Sequence, residues 1–401
     1  MKTLIALLAM CSAAAAAQDQ QVGARTKAMG GSYTAFEDDP VSIWLNPGGI
    51  ATQPDAASIA YQTYTIYEVK IRSSGSGDHS PAEFAWSDPA LIPSFVGVNF
   101  QVGSADSPQS FGLCFTTPFR LKFTYDDRTN LGAGDEFVDQ VFYRIRAAYA
   151  YDFRFKPGGS EGFLTHLALG LGLDVNVTDW TLTEFKDIRD ALGNSLGSAT
   201  FTVSGTDMGF GGGAGLLLGV YDNTRDLKVN FGAAWQTKAS YKFSIIADTV
   251  PLFDWPNQFQ AGMTVYLLKD MPLRVTLDAQ MIDWDGASPD SKIAGTDSFR
   301  RSINYSAGVE YRVKVSDKLT VYPRAGLRQY QAPWKHHERA DLPAIGQSKL
   351  DIDTRDSKFL IASFGVGLAW TTESHKQVTF DLGADVGGDA PGMAFSITME
   401  F

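Results

Sequence analysis

Apolar and polar residues alternate with a period of two along much of this chain. At the C-terminus, Met393, Phe395, Ile397, Met399 and Phe401 share one face, and Ala394, Ser396, Thr398 and Glu400 share the other. Such a period is that of a β-strand with one apolar face. The pattern recurs upstream. Leu167, Leu169, Leu171, Leu173, Val175 and Val177 oppose His166, Ala168, Gly170, Gly172, Asp174 and Asn176. Ile303, Tyr305, Ala307, Val309 and Tyr311 oppose Asn304, Ser306, Gly308, Glu310 and Arg312, and Phe111, Leu113, Phe115 and Thr117 oppose Gly112, Cys114 and Thr116. Strands are expected near 56–71, 93–102, 110–124, 138–154, 163–178, 205–220, 227–241, 257–267, 272–283, 302–313, 318–330, 358–371, 376–386 and 393–401.

The connections between these segments alternate long and short, beginning with 72–92 long and 103–109 short and ending with 331–357 long and 372–375 short. Transmembrane barrels have an even number of strands, short periplasmic turns and longer external loops. The expected fold is therefore all-β, a transmembrane antiparallel barrel of about fourteen strands, with both termini in the periplasm. Composition agrees. The chain has 401 residues, 39 of them glycine, with 26 Phe, 15 Tyr and 8 Trp, yet its mean hydropathy is only −0.11. Faces that alternate cancel in such an average.

Residues 1–17 read as a signal peptide, with Lys2, an apolar run and an alanine tract ending at Ala17. Its removal takes Cys11 and leaves Cys114 alone, so no internal disulfide is expected. The formal charge of −11 argues against nucleic acid as a partner. Residues 18–53 precede the first strand, and the barrel itself is assigned to 54–401. Gly30, Gly31, Pro40, Pro47, Gly48 and Gly49 punctuate the first of these segments too often for one long helix or strand. It nevertheless carries Met29, Tyr33, Phe36, Val41, Ile43, Trp44 and Leu45, which need cover. The expectation is a plug inside the barrel, with a tight turn at Asn46-Pro47-Gly48-Gly49 and with Asp38 and Asp39 paired to inward arginines such as Arg144, Arg146 or Arg324.

The pattern G-G-x-Y-T-A-x-x-D-D-P, followed by N-P-G-G-I-A, resembles the N-terminal segment of the FadL-like outer-membrane proteins, and is most similar to the PorV-type branch. Gly48 stands where that branch usually has alanine, and Ile50 where it usually has leucine. The aromatic last residue likewise resembles the C-terminal signature of bacterial outer-membrane barrels. The resemblance implies an outer-membrane location and contact with membrane lipid and lipopolysaccharide. It also implies one of two roles. One is passive transport of a hydrophobic small molecule, of the long-chain fatty acid or hydrocarbon type. The other is a PorV-like protein-interaction barrel that binds secreted cargo at its outer loops within a type IX secretion machine.

Candidate functional residues follow from placement. The motif residues Gly30, Gly31, Asp38, Asp39, Pro40, Asn46, Pro47, Gly48 and Gly49 would form the plug. Arg144, Arg146, Arg324 and Arg328 face the lumen, with Asp152, Arg154, Arg274, Asp278, Glu310, Arg312, Asp381 and Asp385, and are expected chiefly to tie wall to plug. The glycine run 209–215 lacks the register of a phosphate loop and is expected to mark a bend or a close approach of the plug backbone. Phe185, Ile188 and Leu192 have helical spacing in the loop 179–204, and Leu252, Phe253 and Trp255 are apolar in the loop 242–256. Both sets are candidates for capturing a ligand or a partner. Asp283, Asp285 and Asp290 fall short of a calcium loop, and His336-His337 lack metal-ligand spacing. No metal, cofactor or enzymatic activity is expected, and the barrel is expected to be a monomer. The C-terminal pattern yields a test: Phe401→Ala reduces the heat-modifiable barrel recovered in the outer membrane while export to the periplasm persists, read by fractionation and gel mobility.

Overall fold

The computed structural model describes residues 22–36, 38–63, 70–74, 93–104, 107–126, 135–155, 162–189, 195–223, 225–241, 254–268, 270, 272–287, 300–331, 337–341, 349–353, 358–387 and 392–401. Fourteen antiparallel strands form the wall. They are β1 (Ala56–Gln62), β2 (Phe95–Ser104), β3 (Ser107–Asp126), β4 (Asp135–Arg154), β5 (Gly162–Arg189), β6 (Ser195–Asp222) and β7 (Leu227–Gln236). The second half comprises β8 (Asn257–Leu267), β9 (Leu273–Asp283), β10 (Arg301–Tyr311), β11 (Leu319–Gln331), β12 (Lys358–Thr371), β13 (Gln377–Val386) and β14 (Gly392–Glu400). Each strand pairs with its neighbours in sequence, and β1 closes on β14 from Ala56↔Glu400 to Gln62↔Ala394. Closure leaves the wall with no free sheet edge, as a lipid-embedded sheet requires.

The alternation read from sequence is the alternation of the wall. Leu171, Leu173 and Phe210 are 67%, 77% and 72% exposed on the outer face, whereas Asp174 and Asn176 on the same strand are buried. The upper limit of this apolar band is visible on β5 and β6. Val177 opposes Met208, and one step further Asp179 opposes Thr206, whose Oγ1 donates to Asp179 Oδ1 at 2.6 Å. Towards the termini, Phe163 packs on Tyr221, Phe100 on Phe401 and Phe111 on Tyr149, with ring centroids 5.0, 5.7 and 5.0 Å apart. Such aromatic rims mark the interfaces of a transmembrane barrel.

Several local expectations need correction. The loop expected over 179–204 with an amphipathic helix is the continuation of a hairpin: β5 and β6 are each 28 residues long and pair almost to their tip. Phe185 and Ile188 therefore lie on a strand, and Leu192 lies outside the described residues. Helical spacing of three apolar residues is too little to outweigh continuous cross-strand hydrogen bonding. Because β3 to β6 are much longer than their neighbours, one side of the barrel rises well above the apolar band. The first strand ends at Gln62, and Lys70–Ser74 belongs instead to a small separate sheet with Lys349–Asp353 and His337–Asp341. The alternation of β3 breaks at a bulge between Thr116 and Phe119, so Thr117 is buried rather than outward. Asp283 ends β9 and a short helix, α3 (Trp284–Ala287), follows; among the described residues no cluster of potential metal ligands occurs.

Residues 22–53 are almost wholly buried and lie against the inward faces of the wall strands. They contain two short helices, α1 (Ala24–Ala28) and α2 (Ser42–Leu45), and a 3-10 helix over Pro47–Thr52. The wall meets them with glycine. Five glycine pairs stand directly opposite each other on neighbouring strands: Gly172↔Gly213, which faces the Arg146 side chain, and Gly170↔Gly215, Gly232↔Gly262, Gly308↔Gly326 and Gly365↔Gly383, which face the segment. A Cβ at Gly170 would overlap Pro47, at Gly232 Thr34, at Gly326 the Met29–Gly30 peptide, and at Gly383 the carbonyl of Ala24. Gly326→Val is therefore expected to overpack this contact by about 1–3 kcal/mol. The measurements are the urea unfolding midpoint and trypsin cleavage after Arg25 and Lys27, both buried in the native chain; the variant is cleaved and the native protein is spared.

Candidate functional site

The N-terminal segment is held to the wall by two kinds of contact. The first is neutral. Asn46 donates through Nδ2 to the carbonyls of Thr34 at 2.7 Å and Leu216 at 2.8 Å, while its Oδ1 accepts from Gly48 N at 3.1 Å. One side chain thus joins segment to segment, segment to β6, and caps the 3-10 helix. The carbonyls that α2 leaves unpaired at its C-terminal end find wall donors. Trp44 O accepts from Arg146 Nη1 at 2.9 Å and from Gln236 Nε2 at 3.0 Å, and Leu45 O accepts from Gln260 Nε2. On β9, Asp278 Oδ2 accepts from Tyr33 N, Thr34 N and Thr34 Oγ1 at 2.7, 2.7 and 2.6 Å.

The second kind is ionic and lies where α1 faces β9 to β13. Glu310 accepts from Arg25 Nε at 3.0 Å, Arg25 Nη2 at 2.9 Å, Arg274 Nη1 at 3.1 Å and Arg324 Nε at 2.6 Å. Asp38 bridges Arg25 Nη1 at 2.8 Å and Arg274 Nη1 at 2.6 Å, and Arg324 Nη1 reaches Asp381 at 2.5 Å. Three arginines are shared among three carboxylates. Lys27 Nζ makes a separate pair with Asp385 at 3.0 Å, with Arg328 Nη2 3.9 Å from the same oxygen atom. Buried charges are tolerable only with such complete pairing. A polar cavity of about 80 Å³ beside Arg25, Asp38, Tyr322 and Arg324 opens this network towards the termini, and one of about 30 Å³ lies beside Thr26, Thr34 and Asp278.

The opposite end of the segment is aromatic. Trp44 meets Trp255 edge-on, with ring centroids 5.6 Å apart at 88°, and Phe142 packs on Trp255 at 6.1 Å. The Arg144 guanidinium lies 3.7 Å from the Trp255 ring centre and 5.0 Å from that of Trp44. Its Nε donates to Asn176 at 2.5 Å and its Nη1 to Gln236 at 2.6 Å, while Asp174 pairs with both Arg144 and Arg146, at 3.2 and 2.6 Å. Trp255 is thus no exposed loop anchor: it is fully buried, bridges Ala239, and roofs Trp44. Leu252 and Phe253 lie outside the described residues.

Other expected site residues fall into place or need revision. Asp38 pairs with Arg25 and Arg274, not with Arg144, Arg146 or Arg324. Asp39 forms no ion pair among the described residues; its Oδ1 accepts from Val41 N at 2.9 Å, and Pro40 lies buried between them. Positive φ occurs at Gly30 (67°) and Gly31 (88°), which turn the chain after α1, whereas Gly48 and Gly49 are in the 3-10 helix. Gly48 is needed for another reason: a Cβ there would stand 2.9 Å from the Gly215 carbonyl oxygen. His166 Nδ1 lies 3.1 Å from Asp152, which also pairs with Arg154, and this cluster ties β4 to β5. Sequence reasoning did not find Lys27, Gln236 or Gln260 as anchors, since neutral or isolated polar residues on an inward face carry no pattern of their own.

No family model matches this sequence, and no curated protein sequence matches it. In fold, the chain is similar to the crystal structure of a Pseudomonas aeruginosa FadL homologue, with a TM-score of 0.62 and 15% identity over 96% of this chain and 100% of that one. It is also similar to the Ralstonia pickettii toluene transporter TbuX (TM-score 0.57, 15% identity, 95% of this chain and 99% of that one). The Pseudomonas putida toluene transporter TodX gives a TM-score of 0.54 and 13% identity over 96% of this chain and 99% of that one. These likenesses establish the fold, and they give the PorV-type branch no support.

Asp39 supplies a test within the segment. Burial pushes its carboxyl up to about 6, against the opposing pull of the Val41 N–H and of Arg25. An unfolded aspartate titrates near about 3.9. Between those values the folded chain holds the extra proton, so the associated stability is full below about pH 4 and is lost as pH rises through about 6. Asp39→Asn is therefore expected to unfold at a higher temperature than the native chain at pH 7.5, by no more than about 3 kcal/mol in stability. The gap narrows as pH falls below about 6 and closes below about pH 4, as read by thermal scans across that range.

Proposed function

We propose that this protein is an outer-membrane channel for passive entry of hydrophobic small molecules, with residues 18–53 as the plug of its lumen and the termini in the periplasm. The observation that carries the reading is the near end-to-end likeness of the whole chain to FadL-type barrels, two of which are described as toluene transporters. The buried segment adds to it, since a wide barrel leaks small solutes unless its lumen is filled. The short turns on the side of the termini support the orientation. Nothing in the residues implies an energy source: no nucleotide loop is present in the sequence, and the segment's contacts are ordinary hydrogen bonds and ion pairs. The protein-interaction alternative gains no observation of its own.

A hydrophobic molecule that enters such a channel from the outer face meets the buried aromatic cluster of Phe142, Trp44 and Trp255, which must part to admit it. Its passage requires the segment to shift rather than to leave, because wall glycines and Asn46 hold the segment's backbone directly. Deletion of residues 23–51 is expected to leave an assembled barrel that conducts ions steadily in planar bilayers, whereas the intact protein is nearly closed. In cells, the intact protein accelerates uptake of an uncharged alkylbenzene without dependence on the proton gradient. A deleted barrel that assembles yet conducts no more than the intact one removes the plug from this reading. Unchanged alkylbenzene uptake on expression of the intact protein removes the transport.

A further inference from the structure

The outer wall carries an indentation. Across β14, β1, β2, β3 and β4 a depression of about 530 Å³ is lined by Ile59, Val96, Leu113, Phe115, Ile145 and Met399, with Ala57 and Gly97 at its floor. Its cause lies in register. Ala57 is flanked by Met399 on one side and Val98 on the other, so a methyl group stands between two larger outward side chains. Leu113, Ile145 and Met399 are about half exposed, although each sits beside this concavity. The depression is continuous with the apolar outer face. It lies just above the aromatic rim formed by Phe100, Phe401, Phe111 and Tyr149.

We propose that this depression holds one acyl chain of a phospholipid, with the headgroup at the aromatic rim and the chain lying between β14 and β4. A flat barrel wall offers every lipid the same shallow contact. A concavity with apolar sides touches a chain on three sides and excludes its neighbours, so this one lipid exchanges more slowly than the rest. The rim supplies the amphipathic rings that favour the headgroup level. The lipid's identity as a phospholipid rests on the orientation proposed above, which puts this end of the barrel in the periplasmic leaflet; the lipid held on the barrel reports on that orientation independently of transport.

The test is native mass spectrometry of the full-length barrel after extensive washing in a mild detergent. The native protein is expected to retain one phospholipid per barrel. Ala57→Phe, which fills the floor, lowers retention by about tenfold through the packing contacts it takes from the chain. Leu113→Ala, which removes one side and is the milder change should Ala57→Phe fail to assemble, lowers it by about threefold. Ala279→Phe, on the outer face of β9 away from the depression, leaves it unchanged. A native barrel that emerges free of lipid overturns the proposal, as does retention of lipopolysaccharide in place of phospholipid. Equal retention by Ala57→Phe and Ala279→Phe overturns it as well.

Discussion

The architecture depends on how near two backbones can approach. The N-terminal segment meets the inner wall with its main chain, not only with its side chains, and that is possible only where the wall has no Cβ. Glycine in a strand is ordinarily a weakness, since it packs nothing and loses the most entropy on folding. Here four of the five cross-strand glycine pairs form a seat, and the energy they forgo in the wall is offset by close packing with the segment. The alternating pattern builds the cylinder, and the glycines decide what fits in it.

The polar contacts divide the labour. Asn46, Gln236, Gln260 and Asp278 bind backbone groups and so fix where the segment lies. The arginine–carboxylate network about Glu310 adds little net stability, because desolvating its charges is costly. Its value is specificity: removing any one partner leaves a buried charge uncompensated, so misplaced arrangements of α1 are penalised heavily. The aromatic cluster of Trp44, Phe142 and Trp255 covers the other end of the segment, with the Arg144 guanidinium 3.7 Å from the Trp255 ring centre.

Much of the barrel was legible in the sequence, because a lipid-facing strand has little freedom in its pattern. The bounds of β8 and β12 agree residue for residue with the expected 257–267 and 358–371, and Arg144, Arg146, Arg324 and Arg328 are inward as expected. Strand tips above the membrane were less legible. Phe185 and Ile188 lie on β5 beyond the apolar band, where lipid imposes no alternation and a chance helical spacing looked significant. Partners across the lumen were not legible at all. Asp38 could reach any inward arginine by sequence; only the turn at Gly30 and Gly31 selects Arg274. Trp255 likewise gave the signature of an exposed anchor because sequence cannot show that its ring is buried against Trp44 and Phe142.

The close contact at Gly48 has a consequence for how such chains diversify. A methyl group at that position has no room while β6 stays where it is, so an alanine there is accessible only to a lineage in which the wall has already receded by a few tenths of an ångström. The same holds for Gly30 against Gly326 and for Thr34 against Gly232. Residues near the start of the chain are thereby bound in inheritance to residues far along it, and a change at either is a dead end unless its counterpart moves first. The lipid-facing side chains carry no such obligation and are free to drift among apolar residues.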